Sequence, residues 1–479
     1  MYSASSWPRG VRRRPGDAGE NNVNMQLKRN TTPKKTRDAV PAAVMWPRIV
    51  VVLCTFLLVT IGLVMVFSAS SIMNIDAEVD AHADAAKQLF FAAVGLVLCL
   101  ALARVIPYGV WRGLLTWVVF GISLVLLVLT AAIGTEGLGA QRWLTLGPLN
   151  LQPSEFAKIG ILLAAAKLVS EYQEGTLAPR TFLFAFAALN IMLVALVFVA
   201  QSDLGTTIIC FIGMFAILWL SEVPLRFLGI YAAVFAVPAA IGLTQGYRLE
   251  RLMSFTHPWD DYYGSGYQII HSMYAFAQGG IFGTGLGNSA EKYLYLPEAS
   301  TDFIYAVIGE EMGLVGALLV LALFVALLLA GLRMAQMAPD RFGAVLCGSF
   351  SIIIVFQAFL NIGCVIGVLP ITGKPLPFVS AGGSSLIASL IMVGIMLSVS
   401  HASGESPLYR ERRQEIHPVG WDDYGQRSTR TRFSRAASLP SRGMRGGWDT
   451  RVGAYPGEAR YRHDRNSGRQ RRILRERGR

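Results

Sequence analysis

This sequence is poor in charge. Only 15% of its 479 residues are Asp, Glu, Lys or Arg and 53% are hydrophobic, a balance that excludes an ordinary soluble domain. Cysteine and histidine are scarce too, at five and six. The cysteines (Cys54, Cys99, Cys210, Cys347, Cys364) all fall inside apolar runs, where they act as small hydrophobes. Their spacing excludes a disulfide framework and a Cys/His metal site. Lysine is missing after Ala402. A cleavable signal is not expected, because the first apolar run begins only near Ile49, too late and too long.

Long apolar runs fill the place of charge. Repeated stretches of about 18 or more such residues indicate an all-α, polytopic membrane protein. The predicted spans are 48–70, 88–106, 114–133, 152–170, 181–200, 205–220, 225–243, 303–332, 343–368 and a tenth ending near Ser400. Residues 1–48 carry ten Lys/Arg against three acids and residues 401–479 nineteen Arg against nine, whereas the stretch between holds fourteen basic and nineteen acidic residues. Two basic ends place both termini in the cytoplasm, which requires an even number of crossings. The expected division is a disordered basic tail over 1–47, a ten-helix membrane domain over 48–402 and a disordered Arg-rich tail over 403–479. The second tail suits anionic headgroups or an acidic partner better than nucleic acid, and no nucleic-acid partner is expected.

With that topology the polar motifs gather on the outer side. They are Gln141-Arg142-Trp143 in a Gly-rich loop, Gln152-Pro-Ser-Glu155-Phe-Ala-Lys158, Ser202-Asp203-Leu-Gly, Thr301-Asp302-Phe-Ile, and the Gly/Pro/Ser-rich stretch from Leu369 through Lys374 to Ser384 and Ser385. The longest loop, 244–302, adds Arg248 and Arg251, and Ile269, Ile270, Met273, Tyr274 and Phe276 recur in it at helical spacing, which suits an amphipathic interfacial helix. Asp302 is placed at the mouth of span eight, with Glu310 and Glu311 two turns further in, roughly 12 Å below it at about 1.5 Å per residue.

Each motif also has a plain reading. Ser154, Asp203 and Asp302 can cap helices, Glu155 and Lys158 can pair at i, i+3, and Glu310 and Glu311 can bridge to another helix. Their convergence on one membrane face points further, to a polar chamber for an amphiphile with an anionic headgroup and a long apolar tail. In it Arg142, Arg248, Arg251 and Lys374 hold a diphosphate, and Asp302 is a general base on a sugar hydroxyl.

Taken in this order over about residues 45–402, the stretches QPSE-x-x-K, DLG, LPE-x-x-TDFI-x-A-x-x-GEE and LP-x-TG-x-x-LPF-x-S-x-GGSS resemble the FtsW/RodA family of shape, elongation, division and sporulation proteins. The resemblance implies a ten-helix peptidoglycan glycosyltransferase, closer to the division branch. It would polymerise lipid II at the outer face of the cytoplasmic membrane, at the septum, beside a class B penicillin-binding protein and other division proteins. It makes Asp302 the catalytic aspartate, puts Glu155, Lys158 and Asp203 in the central cavity and Arg142 in the outer loop, and brings an expected dependence on a divalent cation (Mg or Mn). Ser202, Ser300 and Ala381 stand where the family commonly has Pro, His and Tyr. Two other functions fit the same residues: a lipid II flippase, for which the intramembrane Glu310 and Glu311 argue, and a non-catalytic division scaffold, for which the tails argue.

Overall fold

The computed structural model describes residues 42–76, 78, 80–137, 140–146, 149–243, 254–293 and 295–403. Most of each apolar run predicted as a span is helical. In order the helices are α1 (Ala42–Asp76), α2 (Ala83–Arg104), the short α3 (Tyr108–Arg112), α4 (Leu114–Ile133), α5 (Pro153–Gln173), α6 (Pro179–Leu193), α7 (Leu204–Leu220), α8 (Leu225–Leu243), α9 (Tyr267–Gly279), α10 (Ile304–Glu311), α11 (Gly313–Gln336), α12 (Arg341–Val365) and α13 (Gly383–Ser403). A π-helical segment, Val194–Ala200, prolongs α6. Among the described residues, seven helices are long and apolar enough to cross a membrane. Those at the positions of spans four, six and seven fall outside that count. Leu204–Leu220 and Leu225–Val237 are short apolar helices, and Pro153–Gln173 carries Glu155, Lys158, Lys167 and Glu171.

Burial sorts the helices into an inner and an outer set. In α12 and α13, 72% and 83% of the apolar window is buried, against 22% in α2, α4 and α6. α5 is buried along most of its length and touches both inner partners. The outer helices expose Leu, Val, Ile and Phe side chains, as the lipid-facing side of a membrane bundle must. The polar interior therefore lies among α5, α7, α12 and α13.

The two ends of the bundle agree with an even number of crossings. Arg48 at the start of α1 donates through Nε to Ser400 Oγ at 2.7 Å and through Nη2 to the Ser400 carbonyl. Entry and exit of the chain thus share one face. The predicted inner returns lie together as well: Arg112 pairs with Glu174 at 2.6 Å and Asp340 at 3.3 Å, and Arg341 donates to Gln173.

Three segments differ from the sequence reading. The Gly-rich loop after α4 carries a small antiparallel sheet, β1 (Thr135–Gly137), β2 (Ala140–Leu146) and β3 (Leu149–Leu151), in that order, with Thr135 opposite Trp143 and Leu144 opposite Leu151. Backbone pairing there satisfies polar groups that an irregular loop beside lipid would leave open. Span eight is not one helix: it breaks at Met312, and Gly313 takes φ +65, a left-handed conformation that Gly adopts at no steric cost. The predicted interfacial helix forms as α9, yet it packs on α10 rather than lying free, with Ile269, Ile270, His271, Ser272 and Ala275 buried.

The segment between α12 and α13 folds back against the bundle and meets α1 at Gly62. A Cβ at that position would lie 2.6 Å from the Phe378 carbonyl oxygen and 2.7 Å from Val379 Cα, and Phe378 itself holds φ +67. Backbone cannot yield there as a flexible side chain would. Gly62→Ala is therefore expected to cost about 1–3 kcal/mol, read as a lowered midpoint of thermal unfolding in detergent. An unchanged midpoint would show that α1 does not clamp this segment.

Candidate active site

The site is built where α5, α7 and α12 meet the returning segment 366–382. At the head of α7, Asp203 accepts from the Thr206 amide at 3.0 Å, so the capping reading holds. Its other oxygen receives Lys374 Nζ at 2.8 Å, Thr206 Oγ1 at 2.8 Å and Ser154 Oγ at 3.3 Å. Lys374 Nζ also donates to Thr206 Oγ1 at 2.6 Å. Both ionic side chains are 3% exposed, which makes this a desolvated ion pair rather than a surface bridge. Gly205 lets it form: a Cβ there would come within 2.7 Å of Lys374 Cε.

One turn along α5 lies a second pair. Lys158 Nζ sits 2.8 Å from Glu155 Oε2 and donates to Gln357 Oε1 at 2.7 Å. Gln357, on α12, donates onward to the Pro375 carbonyl at 3.0 Å and reaches Ser385 Oγ at 3.5 Å. Ser384 Oγ accepts from the Gln152 amide at 2.9 Å, joining the heads of α5 and α13. The sequence motifs around 152, 203, 374 and 384 are thus one connected polar core.

Asp302 stands at the edge of that core. It is half-buried and precedes α10, whose N-cap position falls on Phe303. Gly373, at φ +66, brings the backbone close enough that a Cβ would touch Asp302 Oδ2 at 3.6 Å. Asn361 on α12 donates to the Asp302 carbonyl at 2.7 Å and the Lys374 carbonyl at 2.9 Å. Ser380 donates to the Thr301 carbonyl at 2.6 Å, and the Ala381 amide to the Ser300 carbonyl at 2.9 Å. Between these segments lies a small open cleft of about 10 Å³, lined by Asp302, Phe303, Asn361, Thr372, Gly373 and Lys374 among others.

Other candidates lie elsewhere. Arg142 on β2 donates Nε to the Gln201 carbonyl at 3.1 Å and Nη2 to the Ser202 carbonyl at 2.8 Å. It holds the turn that presents Asp203, where Ser202 takes φ +50, rather than reaching toward a diphosphate with those nitrogens. Glu310 does not line the cleft. It is fully buried and takes hydrogen bonds from Ser289 Oγ and the Ala290 amide, both at 2.5 Å. Glu311 pairs with Lys292 at 3.0 Å and accepts from Ser68 Oγ at 2.6 Å. These two acids anchor the outer loop to α10 and α1, the bridging role expected of them. Arg248 and Arg251 lie outside the described residues. In the outer loop itself, hydrogen bonds from the Ser265 amide and hydroxyl hold the Asp261 carboxyl below its ordinary range.

Gln357 and Asn361, which knit the site together, were absent from the motif reading. Their signal was present: two amides one turn apart in an otherwise apolar span are expensive unless they bind something. Among the described residues no three His, Cys, Asp or Glu side chains gather as a metal-ligand set.

Fold and site together define a polytopic helical membrane protein with a buried carboxylate–lysine core opening beside one half-buried aspartate. The chain belongs to the cell cycle protein family of FtsW, RodA and SpoVE, whose model matches residues 48–405. It is 38% identical over 365 residues to stage V sporulation protein E of Bacillus subtilis (74% of this chain, 98% of that protein). It is also 38% identical over 358 residues to the probable peptidoglycan glycosyltransferase FtsW of Geobacter metallireducens (74% and 94%). Among solved structures it is similar to a chain from a peptidoglycan synthase complex described for its coordination of polymerisation and crosslinking, with TM-score 0.59 and 29% identity over 74% of this chain and 97% of that one. It is likewise similar to the rod shape determining protein RodA of Thermus thermophilus (TM-score 0.54, 28% identity, 74% and 96%).

The pair Asp203–Lys374 gives a direct test of this core. Asp203→Asn leaves a buried ammonium without its countercharge and is expected to cost about 3–5 kcal/mol, seen as a large drop in unfolding midpoint. Adding Lys374→Met should recover most of the loss. Equal melting of the single and double variants would contradict the pairing.

Proposed function

We propose that this protein is a peptidoglycan glycosyltransferase, polymerising lipid II into glycan strands at the outer face of the cytoplasmic membrane during septal wall synthesis. The observation that carries the reading is Asp302: a half-buried carboxylate on a non-helical segment, lining an open cleft with Gly373 and Lys374, in a chain similar over most of its length to proteins named for this activity.

In the proposed step Asp302 accepts the proton of the acceptor sugar's 4-hydroxyl as that oxygen attacks the donor's anomeric carbon. The bond from that carbon to the diphosphate oxygen breaks, with inversion, and undecaprenyl diphosphate leaves with the electron pair. Lys374 and Lys158 are committed to Asp203 and Glu155, so their task is to hold the cleft walls. The negative charge developing on the diphosphate falls to Arg248 and Arg251, whose guanidinium forks suit bidentate phosphate contacts. A class B penicillin-binding protein would crosslink the emerging strand, in keeping with the resemblance to a chain of a peptidoglycan synthase complex. No step is routed through a metal.

Purified protein with its transpeptidase partner should convert lipid II to glycan strands, and Asp302→Asn should lower the rate at least ~100-fold, within the range expected for a lost general base, with little change in unfolding midpoint. Product at near wild-type rate from Asp302→Asn would overturn the assignment. Lipid II crossing vesicle bilayers without product from the wild type would favour the flippase.

A further inference from the structure

Asn361 stands one helical turn beyond Gln357 on α12 and is 2% exposed. Its Nδ2 donates to two carbonyl oxygens, of Asp302 at 2.7 Å and Lys374 at 2.9 Å. A carbonyl can only accept, so these contacts establish which end of the amide is nitrogen. Both amide hydrogens are therefore committed to the two segments that form the cleft walls. The remaining atom, Oδ1, is buried and has no hydrogen-bond partner among the described residues, in a side chain that lines the cleft.

A buried acceptor left without a donor costs about 1–3 kcal/mol, and the neighbouring groups do not supply one. Cys364 turns its thiol to the Pro370 carbonyl at 2.9 Å. Lys374 Nζ is engaged by Asp203 and Thr206. Phe303, Val365 and Ile371 present carbon to the same space. What suits so small a space is a single neutral donor, a hydroxyl or an amide N–H, and a sugar carries such substituents on its ring.

We propose that Asn361 is a substrate-contacting and positioning residue of this cleft. Its nitrogen holds the Asp302 and Lys374 segments in register, and its Oδ1 receives a hydroxyl or amide N–H of the sugar on which Asp302 acts. The inference rests on the glycosyltransferase reading for the nature of the ring.

The test uses the full chain with its transpeptidase partner and lipid II as the probe, measuring binding and turnover separately. Asn361→Asp keeps an acceptor toward the cleft but loses both donors to the walls. It should bind lipid II within about threefold of wild type while turnover falls ~100-fold, the scale of a small misplacement of reacting groups. Asn361→Ala loses both functions and should in addition weaken binding about tenfold, the worth of one hydrogen bond. Asn361→Ser takes its place should the alanine variant not fold, and the alanine or serine arm alone decides the acceptor role. Wild-type binding by that arm, or wild-type turnover per folded molecule by either variant, overturns the proposal, because a residue that only stabilises the fold would change the amount of folded protein and not its kinetics. A wild type that binds lipid II without polymerising it overturns the glycosyltransferase reading but leaves the binding comparison decisive for Oδ1. A wild type that does neither overturns both.

Discussion

The ion pair between Lys374 and Asp203 is the constraint on which the site depends. Lys374 lies on the segment between α12 and α13, Asp203 on the turn between α6 and α7, and their charged atoms meet at 2.8 Å with both side chains 3% exposed. Removing two charges from water is costly, and mutual attraction offsets that only with good geometry and further hydrogen bonds. Thr206, Ser154 and the Thr206 amide supply those bonds. A segment tied at this point has one position relative to the bundle. Everything it carries, from Gly373 beside Asp302 to Ser380 on the Thr301 carbonyl, inherits that position.

The second pair repeats the device in the same network. Glu155 and Lys158 lie on one face of α5 because i and i+3 are neighbours on a helix, and Gln357 passes the connection to Pro375, the residue after Lys374. Two ion pairs and two amides thus converge on one short stretch of backbone. Charge is rare in this chain, and much of what the interior holds is used to fix this segment. The outer acids Glu310 and Glu311 do the same for the loop after α9, through Ser289, Lys292 and Ser68. A half-buried Asp302 held between two such anchored segments is preorganised, the condition under which a general base works without rearranging its surroundings.

Much of this was legible in the sequence, and the rest was not for definable reasons. Spans could be placed because apolar runs of that length have few alternatives in a chain so poor in charge. Glu155–Lys158 and the Asp203 cap followed from local spacing, which needs no knowledge of tertiary structure. The break at Gly313 escaped because an apolar run continues through it, and only the backbone reveals its positive φ. Arg142 was read for its charge and proved to serve the turn at Ser202, since which carbonyls a guanidinium meets depends on packing across elements. The strands at 135–151 were hidden by glycines that signal a loop but equally permit tight pairing. Gln357 and Asn361 lie outside the motifs, although the membrane argument applied to Glu310 singles them out as well.

The central claim is that the Lys374 tether sets the place of Asp302, and hydrogen exchange of the purified protein tests it most directly. The measurement compares wild type with Lys374→Met at two sets of amides, those of residues 369–382 and those of residues 300–306. The account predicts that both sets lose protection together, because Asn361, Ser380 and the Ala381 amide join the two segments. Faster exchange in 369–382 with unchanged protection in 300–306 would contradict it, and would mean that Asp302 is held by its own helix rather than by the segment that Lys374 anchors.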